Sequence, residues 1–278
     1  MTSDYFGLII RTYFLTMTNT DRFTLMIEAL TELAVEAQSH QTEPAPHLPD
    51  LRSVLADLTP LPEEALFLGL ADDGLPVLLN LYDPIPGPIL IVGDQASGKT
   101  SLLRMIARGA EYLHLPENVQ SGIITQYPDE WKRFEENQNT VGIYRTQDSS
   151  TIELLQSLVT WAHNNKGDGQ AILLLMDDLE AITKLGQQAE QNLRWLLLRG
   201  PSRRVWPIVT LNSSRAKEME PWLDFFRTRL FGYIENADEA QQVTGRSQFL
   251  TADLFKGSQF AMLEGNNWLK FWSPPIGQ

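Results

Sequence analysis

The sequence predicts an α/β protein with a mostly parallel central sheet covered by helices on both faces. Short apolar segments alternate along the chain with longer amphipathic segments, as in proteins built from strand–helix units. The apolar segments are nearly continuous, which is typical of strands buried on both faces. With 278 residues and 43% hydrophobic content, the chain is long enough for one such domain and a small extension.

The composition excludes several classes of function before any motif is considered. The chain has 35 acidic and 22 basic residues and a formal net charge of −13, so a surface that binds polyanions throughout is not expected. It contains no cysteine, which excludes disulfide scaffolds, cysteine-ligated zinc, iron–sulfur clusters and thiol catalysis. This composition is compatible with a reducing compartment, and we expect a cytoplasmic protein.

The first residues predict neither a membrane span nor a signal peptide. The apolar stretch from Tyr5 to Met17 is shorter than the ~18 to 20 residues that a spanning helix needs, and Arg11 interrupts it. Asp4 stands where a signal peptide has a basic flank. We expect a leader without stable membrane insertion, for which Met17 is an alternative start.

A short helical extension is predicted ahead of the main domain. Between Asp21 and Gln38 apolar residues recur every three or four positions, and Thr20 is a suitable N-cap. Ser39 to Asp50 contains three prolines and no apolar run, which indicates a linker. We therefore interpret residues 1–64 as leader, helix and proline-rich linker, and residues 65–278 as the main domain.

A hairpin followed by strand–helix alternation is predicted for the main domain. Leu66 to Leu70 and Val77 to Leu81 flank a turn-rich stretch, which indicates a β-hairpin. Helical periodicity appears at Thr151 to His163 and at Leu179 to Leu198. The further predicted strands are Ile89–Val92, Gly122–Thr125, Val141–Tyr144, Ile172–Met176 and Val205–Leu211.

A glycine-rich segment joins the strand at Ile89–Val92 to a helix-like segment. Residues 93–100 match the Walker A pattern G-x-x-x-x-G-K-[ST] without a mismatch. Glycines let successive N–H groups turn inward around phosphate oxygens, and the following helix directs its positive end at the same anion. The sequence therefore predicts an ATP site formed by Gly93, Asp94, Gln95, Ala96, Ser97, Gly98, Lys99, Thr100 and Ser101.

A second motif of the Walker B type supports the first. The apolar run from Ala171 to Met176 ends in two acids, which places their carboxylates at the edge of the sheet where ligands bind. In this interpretation Lys99 binds the β- and γ-phosphates, and Thr100 and Asp177 hold Mg²⁺. Asp178 then orients or deprotonates the attacking water, with Glu180 as a second choice. The alternative is a solvated helix start, which favours acids for its dipole alone.

From about Leu66 to Trp272 the order of features resembles the FtsK/HerA superfamily of P-loop ATPases. These proteins are ring-forming motors that include DNA translocases and the ATPase domains of type VII secretion. Besides the hairpin and the two motifs, the resemblance rests on the strand ending at Asn212 and on the segments Phe226–Leu230 and Phe255–Phe260. It implies a RecA-like fold, hydrolysis of ATP with Mg²⁺, a homo-oligomeric ring, and DNA or a protein polymer as substrate.

The resemblance also implies roles for three later residues. Asn212 would sense the γ-phosphate, and Arg229, or else Arg227, would reach the nucleotide of an adjacent subunit. Without the resemblance, Asn212 is explained equally well as a residue that forms a turn. Arg227 and Arg229 are explained equally well as ordinary surface residues. The alternative function is a nucleotide-dependent scaffold or switch with little turnover. It is favoured by Asp178, which is one methylene shorter than the glutamate of many such ATPases, and by the acidic surface.

Positive charge is concentrated between Arg194 and Arg229, where eight basic residues accompany three acidic ones. One interpretation is a pore surface that touches the backbone of a polyanion. The other is a solvated face with intersubunit ion pairs. The residues concerned are Arg199, Arg203, Arg204, Trp195 and Trp206.

Overall fold

A computed structural model describes residues 47–165, 169–246, 251–265 and 267–277. The predicted leader and the predicted helix at Asp21–Gln38 lie outside the described residues. No helix in the described part of the chain has the length and apolar character that crossing a membrane requires.

Ten strands form one sheet, in the order β2-β1-β10-β9-β8-β3-β7-β6-β4-β5. The strands are β1 (Ala65–Ala71), β2 (Pro76–Asn80), β3 (Ile89–Gly93), β4 (Val119–Thr125), β5 (Thr140–Arg145), β6 (Ala171–Met176), β7 (Val205–Asn212), β8 (Thr228–Phe231), β9 (Gln259–Glu264) and β10 (Asn267–Trp272). The five pairings from β8 to β5 are parallel, and the four from β2 to β8 are antiparallel. The predicted hairpin and the mostly parallel sheet are confirmed.

Seven α-helices are described, and the larger ones cover both faces of the sheet. They are α1 (Leu51–Leu58), α2 (Lys99–Leu113), α3 (Ser149–Asn164), α4 (Leu179–Thr183), α5 (Gln187–Arg199), α6 (Glu220–Leu223) and α7 (Ala237–Thr244). Ile89 and Ile91 of β3 belong to a core with α1 and α2, whereas Leu90 and Val92 belong to a second core with α3, α4 and α5. This alternation explains why β3 is apolar at every position.

The predicted helix over Leu179–Leu198 is wrong as a single element. The chain forms two helices, α4 and α5, separated by a short turn. Gly186 in that turn has φ of 109°, a conformation that residues with a side chain rarely adopt. The helical spacing of apolar residues continues on both sides of the turn because both helices face the same core.

Helix α1 belongs to the same compact unit as the sheet. This unit starts at His47. Leu51, Val54 and Leu55 are buried, and the Leu51 amide donates to the Pro275 carbonyl at 2.8 Å. These contacts join α1 to the segment after β10, and the division into residues 1–64 and 65–278 stays a prediction.

Candidate nucleotide-binding site

The glycine-rich segment forms the connection between β3 and α2, the context that a phosphate loop requires. Gly98 has φ of 92°, and a Cβ at this position would lie 2.3 Å from the Gly257 carbonyl oxygen. Only glycine avoids both the strained backbone and this clash. The turn around Gly257, in the segment Phe255–Phe260, thus packs directly against the phosphate loop.

Lys99 is a partly buried cation at the start of α2. Its Nζ donates to the carbonyl oxygens of Gly93 at 2.8 Å and Asp94 at 2.6 Å. Burial lowers the pKa of Lys99 to about 8, although Asp177, Asp94 and Asp178 act in the opposite direction. Carbonyl dipoles compensate a buried ammonium less well than a full negative charge does. A phosphate in the loop would supply that charge.

Asp177 lies immediately after β6 and faces Thr100 across the cleft. The Thr100 hydroxyl is 3.1 Å from each Asp177 carboxylate oxygen, and the Thr210 hydroxyl donates to Asp177 Oδ1 at 2.8 Å. Burial raises the pKa of Asp177, so its charge is costly without a cation. This hydroxyl and carboxylate are the hard oxygen donors that Mg²⁺ prefers, and they therefore fit the predicted metal site.

Asp178 has an unusual backbone, and both of its carboxylate oxygens accept hydrogen bonds. Its φ is 91°, a strained value for a residue with a side chain. Oδ1 accepts from the amides of Glu180 and Ala181 and caps α4, while Oδ2 accepts from Gln126 Nε2 at 2.8 Å. Burial raises the pKa of Asp178. The residue is thus both the helix cap of one interpretation and a carboxylate beside the predicted Mg²⁺ ligand.

Two further predicted residues lie beside the phosphate loop. Asn212 ends β7 and caps the following 3₁₀ helix by accepting from the Ser214 amide at 3.4 Å, a bond local to that segment. Asp94 of the loop accepts from the Ser213 hydroxyl and from the Glu235 amide. The bonds of Asp94 therefore fix the loop to the segments that follow β7 and β8.

These residues surround one cleft of about 520 Å³ at the carboxyl edge of the parallel strands. Among its polar side chains, sequence reasoning missed Gln126, Tyr127, Glu130, Thr210 and Arg215. Gln126 and Tyr127 follow β4, Thr210 lies near the carboxyl end of β7 and Arg215 follows β7, and for these four that position was the available signal. The lining residues are Gln95, Ala96, Lys99, Thr100, Gln126, Tyr127, Glu130, Asp177, Asp178, Glu180, Thr210, Asn212 and Arg215.

Comparisons with solved structures identify the fold. ATPases 2 and 3 of EssC from Geobacillus thermodenitrificans match with a TM-score of 0.66 at 15% identity, over 77% of this chain and 45% of theirs. ATPases 2 and 3 of EccC from Thermomonospora curvata, in complex with a signal sequence peptide, match with a TM-score of 0.64 at 16% identity, over 84% and 43%. The pCW3 conjugation coupling protein TcpA with ATPγS matches with a TM-score of 0.63 at 14% identity, over 85% and 72%.

The chain has the fold of the FtsK/HerA-type P-loop ATPases. It is RecA-like, and the predicted fold class is confirmed. The chain spans less than half the length of the two secretion ATPase structures. No protein-family model and no curated protein matches the sequence.

Arg229 does not line the cleft of this FtsK/HerA-type fold. It lies on β8 opposite Leu90, and its guanidinium donates to the carbonyl oxygens of Leu223 at 2.8 Å, Val243 at 2.9 Å and Phe226 at 3.3 Å. Arg227 is exposed and contacts the Ile85 carbonyl at 3.4 Å. Within one chain, the Arg229 guanidinium therefore links three backbone segments, and we call this arrangement the clamp.

Replacing Arg229 with alanine is expected to lower the free energy of unfolding by about 2–4 kcal/mol, since three carbonyls lose a charged donor. The measurement is the melting temperature, with Arg227→Ala as the matched control, because Arg227 is exposed and has one long contact. A melting temperature of Arg229→Ala equal to that of the wild type would exclude the clamp.

The five residues of the predicted pore surface do not all lie at the surface of the chain. Trp206 is fully buried, and its Nε1 donates to the Leu81 carbonyl, so it cannot touch a polymer. Arg203 and Arg204 donate to carbonyl oxygens of the loop after α3. Arg199 is exposed and remains a surface residue at the end of α5.

The depressed pKa of Lys99 predicts proton uptake on nucleotide binding. Above pH 8 the free protein holds Lys99 largely neutral, whereas a bound phosphate restores the ammonium, so binding takes up close to one proton near pH 9. Calorimetric titration in two buffers of different ionisation enthalpy measures this uptake. Lys99→Arg is the control because arginine stays charged, and equal uptake in both proteins would contradict the assignment to Lys99.

Proposed function

We propose that this protein is a Mg²⁺-dependent ATPase of the P-loop motor class. The single observation that carries the proposal is the pairing of two motifs in one cleft. Lys99 lies at the phosphate loop, and the Thr100 hydroxyl is 3.1 Å from both oxygens of Asp177. An anion site and a hard-oxygen cation site thus lie side by side, as a metal–triphosphate complex requires.

In this proposal the residues of the cleft bind the phosphates, the metal ion and the attacking water. The amides of the phosphate loop and Lys99 bind the β- and γ-phosphates, and Thr100 and Asp177 hold Mg²⁺. Bound there, Mg²⁺ supplies charge neutralisation at the phosphates. Asp178 orients the attacking water, and Asn212 contacts the γ-phosphate from the end of β7. Both residues line the cleft beside Lys99 and Asp177, which supports their assignment.

We further propose a homo-oligomeric ring that acts on DNA or on a protein polymer. The support is the fold shared with a conjugation coupling protein and with secretion ATPases, one of them in complex with a signal sequence peptide. A trans-acting arginine stays part of this proposal. Arg227 fits it better than Arg229 because its guanidinium is exposed.

A nucleotide-dependent switch is the second candidate function. One observation favours it: both oxygens of Asp178 are occupied by donors within the chain. These donors stabilise the ionised form of the carboxylate, which makes it a weaker base and favours slow turnover.

The steady-state ATPase rate with Mg²⁺, with and without double-stranded DNA, separates these functions. Stimulation by DNA supports a DNA translocase, and turnover without stimulation supports a motor that acts on protein. Tight binding of ATP without turnover supports the switch. Failure of the wild type to bind ATP would contradict the proposal as a whole.

A further inference from the structure

Arg215 is a second cation in the nucleotide cleft, and no motif assigns it a role. It ends the 3₁₀ helix Ser213–Arg215 directly after β7, three residues beyond Asn212. Its side chain lines the same cleft as Lys99 and Asp178. Among the described residues that line the cleft, only Lys99 and Arg215 are basic.

The present partners of Arg215 hold it weakly. Its Nε is 3.2 Å from Glu180 Oε2, and its Nη1 is 3.0 Å from Glu218 Oε1, while the Arg215 side chain is 48% exposed. The pair with Glu218 is exposed on both sides, and such a pair contributes little because water solvates both partners and the side chains lose entropy. The Glu180 carboxylate is only 14% exposed, but it has a second partner in Lys184. Arg215 can therefore exchange these carboxylates for another anion at little cost.

Glu180 does not lose its charge compensation in such an exchange. One of its carboxylate oxygens faces Arg215, and the other accepts from the Lys184 ammonium. The departure of Arg215 thus leaves Glu180 in an ion pair with Lys184. Nothing in the cleft is left with a buried, uncompensated charge.

We propose that Arg215 binds the γ-phosphate of the nucleotide in its own subunit and so discriminates ATP from ADP. The inference rests on the proposed function, because it presumes that the cleft takes a nucleoside triphosphate. Arginine suits this task, since its planar guanidinium can donate two parallel hydrogen bonds to one phosphate group. The ion pairs with Glu180 and Glu218 are then the resting state, and the γ-phosphate is the competing anion.

The test compares the affinities for ATPγS and ADP in the presence of Mg²⁺. Arg215→Ala is expected to weaken ATPγS binding at least tenfold and to change ADP binding less than twofold. Arg215→Lys is expected to restore part of the ATPγS affinity, because it returns the charge without the planar fork. Lys217→Ala is the matched control, since Lys217 is an exposed cation in the same segment and does not line the cleft.

The outcomes separate this inference from the proposed function. If the wild type binds neither nucleotide, the proposed function fails and the inference fails with it. If the wild type binds both and Arg215→Ala weakens both equally, or neither, the role of Arg215 alone is overturned.

Mixing tests whether Arg215 acts within its own subunit. Lys99→Ala subunits have an intact Arg215 and a phosphate loop without its lysine. Arg215→Ala subunits have an intact Lys99 and no arginine at position 215. No recovery of ATPase activity is expected on mixing the two. Recovery would show that Arg215 acts on a neighbour and would overturn the proposed cis contact.

Discussion

Replacing Lys99 with alanine is expected to abolish stabilisation of the protein by ATP while leaving the fold intact. A ligand at 100 times its dissociation constant stabilises a protein by about 2.7 kcal/mol, and this increment should fall to near zero. The reason is that Lys99 supplies the charge-assisted contact to the phosphates from the start of α2. The ammonium contacts two carbonyls and the Ser97 hydroxyl and, among the described residues, has no ion pair with a carboxylate, and burial lowers its pKa, so its removal does not unfold the free protein.

The measurement is a thermal melt with and without Mg-ATP. Lys132→Ala is the matched control, because Lys132 is an exposed lysine whose partner is Asp129 on the surface. An equal rise in melting temperature for the wild type and Lys99→Ala would overturn the site. A low melting temperature of Lys99→Ala without ATP would contradict the independence of the fold from this residue.

Replacing each of the two acids after β6 with asparagine is expected to impair a different step, ATP binding in one case and hydrolysis in the other. Asp177→Asn should weaken Mg-dependent ATP binding at least tenfold, because it removes the charge that faces Thr100. Asp178→Asn should lower the turnover number on the order of 10²-fold and leave binding nearly unchanged. Asparagine caps helices as well as aspartate does, so α4 is preserved.

Equilibrium binding of ATP with Mg²⁺ or with EDTA, followed by single-turnover hydrolysis, separates the two effects. Each variant serves as the control for the other, since both remove one charge from adjacent positions. Unchanged Mg-ATP affinity in Asp177→Asn, together with lost affinity in Asp178→Asn, would reverse the two roles.

The phosphate loop and the parallel strands could be predicted because their signals are local. Gly98 and Lys99 stand in a fixed pattern between an apolar strand and a helix, and β3 is buried on both faces. The acids after β6 follow from the same rule, since ligands bind at the carboxyl ends of parallel strands.

Apart from the β1–β2 hairpin, the antiparallel part of the sheet could not be predicted in the same way. β10 pairs with β1, so Leu70 lies opposite Trp272, 202 positions away along the chain. Pairing at that distance depends on tertiary packing and leaves no periodicity in either segment. The position of Gly186 at a positive φ, which divides the predicted helix, is likewise a property of the folded chain.

Of the polar side chains that line the cleft, only some could be predicted from the sequence. Asp177 could be predicted from its motif, but the bonds of Thr210 to Asp177 and of Gln126 to Asp178 require the strand order. Arg229 resembled a trans-acting arginine in sequence, yet its three carbonyl partners come from α6, the turn before β8, and α7. A short sequence motif around an arginine does not predict which groups its guanidinium contacts in the folded protein.

The central claim is that the cleft between the phosphate loop and Asp177 binds Mg-ATP. Isothermal titration of the wild-type protein with ATP, in Mg²⁺ and again in EDTA, tests it most directly. We predict one ATP bound per chain, with an affinity at least tenfold higher in Mg²⁺ than in EDTA. The absence of binding in Mg²⁺, or equal affinities in the two buffers, would contradict the claim.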